Sequence, residues 1–229
     1  VERLAELGRV LGRVAIITGR PAAVAVEYAG LAGVPGLERL VVLGHYGLER
    51  WDAASGEVVA PPPSAGVVTV REALPALLER LGAPAGTDIE DKGNSVAVHT
   101  RRAAAADDVI ERLRGPLEEL AREHGLVAEP GRRVIELRPP GVDKGGALRG
   151  LVEAEPPSAV LFAGDDLGDL AAFDEVDRMR ERGIPGLLVC SGSEEVTEVA
   201  RRADLIVDGP DGVVDLLAAL TAALPAAAD

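Results

Sequence analysis

The chain has 229 residues, a formal charge of −14 and 47% hydrophobic residues, enough apolar content for a packed core and against wholesale disorder. With no basic stripe, this acidic balance argues against a nucleic-acid binder, and any bound anion must rest on local cations or a metal. No apolar run reaches the ~18 residues of a membrane span, no signal peptide is expected from a first turn that carries Glu2, Arg3 and Glu6, and a single cysteine, Cys190, excludes an internal disulfide and fits a cytoplasmic protein.

Glu2–Leu11 reads as an amphipathic helix with Leu4, Leu7, Val10 and Leu11 on one face. Val14–Ile17 reads as a buried strand. It stops at Thr18-Gly19-Arg20-Pro21, with proline expected at the first helical position. Thr18 then lies at a strand C-terminus facing a helix N-terminus. There its hydroxyl and the backbone N–H groups either hold a phosphate or form a plain N-cap. The helix runs to about Ala29, and Leu40–Leu43 is the next strand. Gly44-His45-Tyr46-Gly47-Leu48-Glu49 is a glycine-flanked turn, in which His45 and Tyr46 are turn residues or ligand contacts. Trp51, Gly56 and Val58-Val59 suggest a hairpin, and Pro61-Pro62-Pro63 a stiff linker.

After that linker the pattern changes. Val70–Leu81 is helical, and Asp88–Asp91 and Ser95–His99 are strands joined at Gly93-Asn94. Ala103–His124 is a long helix, and Leu126–Glu129 and Arg133–Leu137 form a second hairpin around Pro130-Gly131. This α-β-β-α-β-β unit predicts an antiparallel sheet with helices on one face. Pro139-Pro140-Gly141 is the return linker. Val142–Gly150 leads into a helix whose first turn holds Lys144. Ala159–Ala163 is a short apolar strand ended by Gly164, followed by a helix over 167–182. Strand Gly186–Cys190, a capped helix Ser193–Arg202, strand Leu205–Val207 and helix Asp211–Leu224 complete the chain, whose alanine-rich end is expected to fray. No internal repeat is present. The β-α alternation before residue 60 and after residue 141 predicts a parallel sheet. The module between would sit over its strand C-termini as a lid.

Two features point to chemistry. Asp165, Asp166 and Asp169 fall just past a buried strand, where open α/β sheets bind ligands. Clustered carboxylates repel unless they share a cation or proton, and oxygen-only ligands suit Mg²⁺. The other reading is N-capping by Asp165 or Asp166 with a solvated Asp169. Secondly, the basic residues are 22 Arg and two Lys, Lys92 and Lys144. Either this is chance, or these are two places that need a compact point charge rather than a planar fork.

In this order the pieces resemble the haloacid dehalogenase (HAD) superfamily of phosphatases, and more narrowly its trehalose-6-phosphate phosphatase family, over nearly the whole chain. Thr18-Gly19-Arg20 is similar to the second superfamily motif, Val142-Asp143-Lys144-Gly145 to the third, and Gly164-Asp165-Asp166 with Asp169 to the fourth, acidic motif. The resemblance implies an α/β fold: a HAD-like Rossmannoid parallel-sheet core over 1–62 and 140–229, with an inserted α+β (C2-type) cap over 64–139. It implies Thr18, Lys144, Asp165 and Asp169 as catalytic residues, Mg²⁺ held by Asp165 and Asp166, and Gly19, Arg20 and His45 on the substrate. Glu90-Asp91-Lys92-Gly93, His99-Thr100-Arg101 and Glu136 resemble the cap residues that hold the sugar. By that likeness Glu90, Lys92, Arg101, Arg132 and Glu136 would contact trehalose hydroxyls. The implied activity is hydrolysis of trehalose 6-phosphate through a phosphoaspartyl intermediate, by a cytoplasmic monomer with no nucleic-acid or membrane partner. Another HAD sugar-phosphatase, of the sucrose-phosphate type, and a non-catalytic sugar-phosphate binder stay open as alternatives.

The sequence departs from the family pattern in two places. In the fourth motif Gly168 replaces threonine and Leu170 replaces glutamate. The first motif, Asp-x-Asp-Gly-Thr, which supplies the nucleophile and the acid/base aspartate, does not occur; Asp208-Gly209-Pro210-Asp211 has the wrong order. The parallel sheet is expected to lack its middle strand, leaving two apolar strand edges. With Val1 in place of an initiator Met, these features are those expected of an N-terminally truncated, inactive form of an active enzyme.

Overall fold

The computed structural model describes residues 1–192 and 197–224. The chain divides into two compact units, one formed by residues 1–60 with the chain from Asp143 onward, the other by Pro61–Val142.

In the first unit, helix α1 spans Glu2–Gly8, shorter than its apolar periodicity suggests. The N–H groups of Arg9 and Val10 bond three residues back, to Glu6 and Leu7, so the last turn tightens and the helix ends. Strand β1 (Val14–Ile17) leads through Thr18–Pro21 into α2 (Ala22–Ala29). Pro21 takes the N-cap position in an extended conformation (φ −54°, ψ 140°), one residue earlier than expected. Strand β2 (Leu40–Gly44) is buried throughout, between β1, which it pairs in parallel, and β3 (Glu49–Asp52), which it pairs antiparallel. The short β4 (Val58–Val59) completes the order β1-β2-β3-β4.

The chain re-enters this unit at α5 (Lys144–Ala154), followed by β9 (Val160–Gly164), α6 (Leu170–Glu181), β10 (Gly186–Gly192), α7 (Thr197–Arg202), β11 (Leu205–Asp208) and α8 (Gly209–Ala223). Strands β9, β10 and β11 pair in parallel in the order β11-β10-β9. Among the described residues the unit holds two sheets rather than one. Strands β1 and β9 each pair on one side only, which leaves the two apolar edges foreseen from the missing first motif. Two hydrophobic clusters match this division: one joins Leu31, Leu37, Leu40, Val42 and Trp51, the other Leu148, Phe173, Val176, Met179, Leu188 and Val199. Ile17 of β1 packs against the second cluster. The expected helix over 193–202 is seen from Thr197; residues 193–196, and the alanine-rich end from 225, lie outside the described residues.

The second unit contains α3 (Ala65–Arg80), β5 (Asp88–Asp91), β6 (Val96–His99), α4 (Ala106–Glu123), β7 (Val127–Gly131) and β8 (Val134–Arg138). Its strands form an antiparallel sheet in the order β5-β6-β8-β7. Val96, Val98, Ile135 and Leu137 point to one face, where α3 and α4 supply Leu74, Leu113 and Leu117. Each of those three leucines is fully buried and contributes about 2 kcal/mol of transfer free energy. Helix α4 starts at Ala106 rather than Ala103, because Ala105 adopts a left-handed conformation (φ 54°) and the buried Thr100 hydroxyl donates to the Ala106 carbonyl (2.8 Å). The β7–β8 turn is Arg132-Arg133, not Pro130-Gly131. Both of the latter lie in β7, where Gly131 pairs with Val134.

Candidate active site

Lys144 is the first residue of α5, and Asp143 caps that helix by accepting the Gly146 N–H (2.7 Å). At Gly145 the helix passes so close to the Ala171 carbonyl of α6 that a side chain there would collide with it. This close approach places the Lys144 ammonium 2.7 Å from Asp169 Oδ1 and 3.5 Å from Asp166 Oδ1. Asp169 is almost fully buried. Its Oδ2 accepts the backbone N–H groups of Asp165 and Asp166, at 3.0 Å each. Asp166 reciprocates by capping the 3₁₀ turn Leu167–Asp169. Asp169 also packs against Gly164, where no Cβ would fit. Its carboxylate is thus the local organiser of the acidic loop rather than a solvated group.

Burial works against the Lys144 ammonium, but the hydrogen bond and charge of Asp169, with Asp166 behind it, outweigh that cost and hold its pKa above the ordinary lysine value. A raised pKa keeps this pair intact at neutral pH, and its contribution fades only as pH climbs through the folded-state value. Cys190 lies buried near the acidic loop. Burial, then the charges of Asp165 and Asp169, push its thiol up, so it stays protonated and inert.

Carboxylate oxygens of Asp165, Asp166 and Asp169 lie within 4.8 Å of one another. Since both oxygens of Asp169 are engaged, the exposed Asp165 and Asp166 are the groups available to a cation. Hard carboxylate oxygens on an open loop fit Mg²⁺, which takes one or two carboxylates and keeps water. A Cβ at Gly168 would stand 2.9 Å from Asp166 Oδ1, so glycine gives that carboxylate room.

Thr18 joins this assembly through the glycine-flanked turn. Its hydroxyl oxygen accepts the Arg20 N–H (3.1 Å), and its carbonyl accepts the Tyr46 N–H (2.9 Å). Gly19 lies against Tyr46, whose Oη would be 2.6 Å from a Cβ at that position. Gly47 in turn meets Ala147, in the first turns of α5. Contacts therefore run without a break from Thr18 through Tyr46 and Gly47 to the helix that carries Lys144. His45 and Tyr46 both have positive φ (46° and 56°), an uncommon backbone state for side-chain-bearing residues. His45 is buried, with Nε2 3.5 Å from Glu49 Oε1 and no hydrogen-bond partner at Nδ1. Arg20 is exposed, and its guanidinium lies 5.8 Å from the centre of the Tyr28 ring.

In the second unit, Glu90, Ala97, Glu136 and Glu129 form one rung across the sheet. This rung faces away from the hydrophobic cluster, because side chains alternate faces. Glu136 accepts from Lys92 Nζ (2.8 Å) and the Ser95 hydroxyl (2.6 Å), and Glu90 pairs with His99 Nε2 (2.6 Å). Arg101 and Arg132 lie elsewhere, lining a pocket of about 330 Å³ with Arg133. Desolvation opposes the Glu136 charge, but hydrogen bonds from Lys92 and Ser95 and the charges of Lys92 and Arg138 win, so its pKa is lowered. A depressed carboxylate stabilises the fold above its unfolded pKa and loses that contribution as pH falls through the folded one. Glu136→Gln is therefore expected to destabilise near neutral pH and to approach wild type only as pH falls through the lowered folded-state value of Glu136. Urea titrations of both proteins check this; a difference independent of pH would show that the Lys92 pair has no role in acid stability.

The trehalose-phosphatase family model matches residues 2–205. The chain belongs to that family. The trehalose-phosphate phosphatase of Mycobacterium marinum is 29% identical over 217 residues, covering 92% of this chain and 52% of its own length. This chain thus spans about half the length of that curated relative. The C-terminal domain of Candida albicans trehalose-6-phosphate phosphatase superposes with a TM-score of 0.72 at 22% identity, covering 97% of this chain and 84% of that one. A haloacid dehalogenase-like hydrolase from Bacteroides thetaiotaomicron gives 0.69 at 17% identity, covering 96% and 90%. The HAD-like α/β fold expected from the motifs is therefore present.

For this trehalose-phosphatase family member, sequence reasoning missed two structural carboxylates. Glu49 accepts the Ala22 N–H (2.8 Å), capping α2 from a distant strand. Glu175 is buried on α6 between Arg149 (2.8 Å) and Arg178 (2.7 Å). The available signal was an acid on the apolar stripe Ala172–Phe173–Val176–Met179.

Proposed function

We propose that this chain supplies the phosphoryl-binding and sugar-binding residues for hydrolysis of trehalose 6-phosphate to trehalose and inorganic phosphate. The observation that carries this reading is the buried Lys144–Asp169 pair beside the exposed Asp165 and Asp166 at the end of β9. It fixes a charged ammonium next to exposed carboxylates, which is the local chemistry a phosphoryl group and a divalent cation require together. Lys144 binds phosphoryl oxygens and offsets the charge that grows on them. Thr18 and the N–H groups around Gly19 and Arg20 orient the same oxygens, with His45 behind them in the turn. Asp165 and Asp166 would hold Mg²⁺, which supplies Lewis-acid neutralisation of phosphoryl charge.

The second unit acts as the cap. Glu90, Lys92 and Glu136 offer acceptors and a donor on one sheet face, the mixture that sugar hydroxyls need. The transfer itself runs through a phosphoaspartyl intermediate: an aspartate carboxylate attacks phosphorus, the sugar oxygen leaves and takes a proton, and water then cleaves the acyl phosphate. The Asp-x-Asp-Gly-Thr motif that would supply the attacking aspartate and its acid/base partner does not occur in this sequence. The enzyme would work as a cytoplasmic monomer. Among the described residues no helix is long and apolar enough to cross a membrane.

The test is phosphate release from trehalose 6-phosphate by the natural full-length protein. Release is expected to need Mg²⁺, to stop in EDTA, and to exceed that from sucrose 6-phosphate roughly 100-fold or more. Equal turnover in EDTA would remove the metal role, and equal turnover of both sugars would remove the cap's selectivity.

A further inference from the structure

We propose that Glu175 is a positioning residue: through Arg149 it sets the register of α5 on α6 and so holds the Lys144 ammonium at the acidic loop. The two helices run side by side, and both begin at that loop. Lys144 opens α5, and Asp169 is the N-cap of α6. Behind that pair the helices touch at Gly145, against the Ala171 carbonyl, and at Arg149, whose Nε and Nη2 donate to Glu175 Oε2 at 2.9 and 2.8 Å. Four residues separate Gly145 from Arg149 and four separate Ala171 from Glu175, so the two contacts lie on one face of each helix, a turn apart.

Gly145 admits a close approach without choosing a partner. Leu148 and Val152 join one hydrophobic cluster with Ala172, Phe173 and Val176, and apolar contact is non-directional. Among the described residues, the hydrogen bonds between α5 and α6 are the two from Arg149 to Glu175. Glu175 is buried on the apolar stripe Ala172–Phe173–Val176–Met179. A well-packed apolar side chain there would serve stability as well or better, because desolvation offsets most of what a buried ion pair gains. A directional pair in an apolar seam instead selects one alignment among several. That alignment matters at the loop: a slide of α5 by one residue moves Lys144 about 1.5 Å along the axis, enough to break its 2.7 Å bond to Asp169. Arg178 also donates to Glu175 Oε2 (2.7 Å), but from Glu175's own helix, so it neutralises the carboxylate without bearing on register. The consequence for turnover rests on the phosphoryl-site reading above; the consequence for Lys144 itself does not.

The two arginines supply the test. Arg149→Met removes the bond between the helices, and Arg178→Met removes the bond within α6. Both side chains are half-exposed and each variant leaves Glu175 one guanidinium, so both should keep the wild-type circular dichroism spectrum. Reaction of the full chain with an acylating amine reagent, resolved by mass spectrometry, compares Lys144 with Lys92, the chain's other lysine, which lies in the second unit. Arg149→Met should raise the Lys144-to-Lys92 labelling ratio about fivefold or more, as a released ammonium becomes accessible, while Arg178→Met should leave it unchanged. Arg149→Gln should repeat the rise. In the natural full-length protein with Mg²⁺, Arg149→Met should lower kcat for trehalose 6-phosphate about tenfold with KM within about threefold, and Arg178→Met should change neither. An unchanged ratio in Arg149→Met, or equal rises in both methionine variants, would overturn the proposal whatever the kinetics. No turnover by the wild type would instead remove the phosphoryl-site reading, and the labelling ratio would still decide the role of Glu175.

Discussion

Asp169→Ala is expected to lower stability by about 3–5 kcal/mol, the range for removing one partner of a buried charge pair. Three losses coincide at this residue. The Lys144 ammonium, with 11% of its side chain exposed, loses its 2.7 Å partner. The N–H groups of Asp165 and Asp166 lose their shared acceptor. A void opens where the carboxylate packs against Gly164. Asp169→Asn separates these effects, since its amide oxygen can still accept the two N–H groups while the charge is gone; it should cost less. The sign for Lys144 follows as well. Without Asp169, only Asp166 is left to oppose desolvation, so the lysine pKa should drop from its raised value. Urea denaturation of the three proteins checks the order wild type, Asn, Ala. A loss below about 1 kcal/mol for the alanine variant would mean that Lys144 has another partner of equal strength.

In the natural full-length protein, Lys144→Met should cut the proposed release of phosphate from trehalose 6-phosphate about 10²–10³-fold, the usual effect of deleting one preorganised charge or donor at a transition state. Methionine keeps the aliphatic length of the stem. Asp169 keeps its two N–H donors in this variant, so the stability cost should be smaller than that of Asp169→Ala. Because the ammonium meets charge that grows during transfer, kcat should fall more than KM rises. Steady-state kinetics at saturating Mg²⁺ give both numbers. A variant within about threefold of wild type would remove Lys144 from the phosphoryl site.

Much of this arrangement was legible before any coordinates. Lys144 in a first helical turn and three aspartates after a short apolar strand are local patterns, and local patterns survive folding. The role of Asp169 was not legible, because its partners are backbone groups one turn away and a lysine 25 residues earlier. The same holds for Glu49, which caps α2 across 27 residues. The β7–β8 turn was misplaced because Pro-Gly is the stronger local turn signal. Pairing of His99 with Val134 and of Val134 with Gly131 fixed the register and moved the bend to two arginines. Helix α4 lost its first three expected residues to a side-chain bond from Thr100, six residues before Ala106. Helix propensity in Ala103–Ala105 was outweighed by that contact.

The scarcity of lysine has a practical outcome for solution work. Both side-chain amines of this chain are engaged, Lys92 by Glu136 and Lys144 by Asp169. Amine-reactive crosslinkers and dyes will therefore find few footholds on the surface, and the little that couples will report on one ion pair in each unit. Distance mapping of this molecule belongs to reagents for carboxylates and guanidines, with which its exterior is crowded.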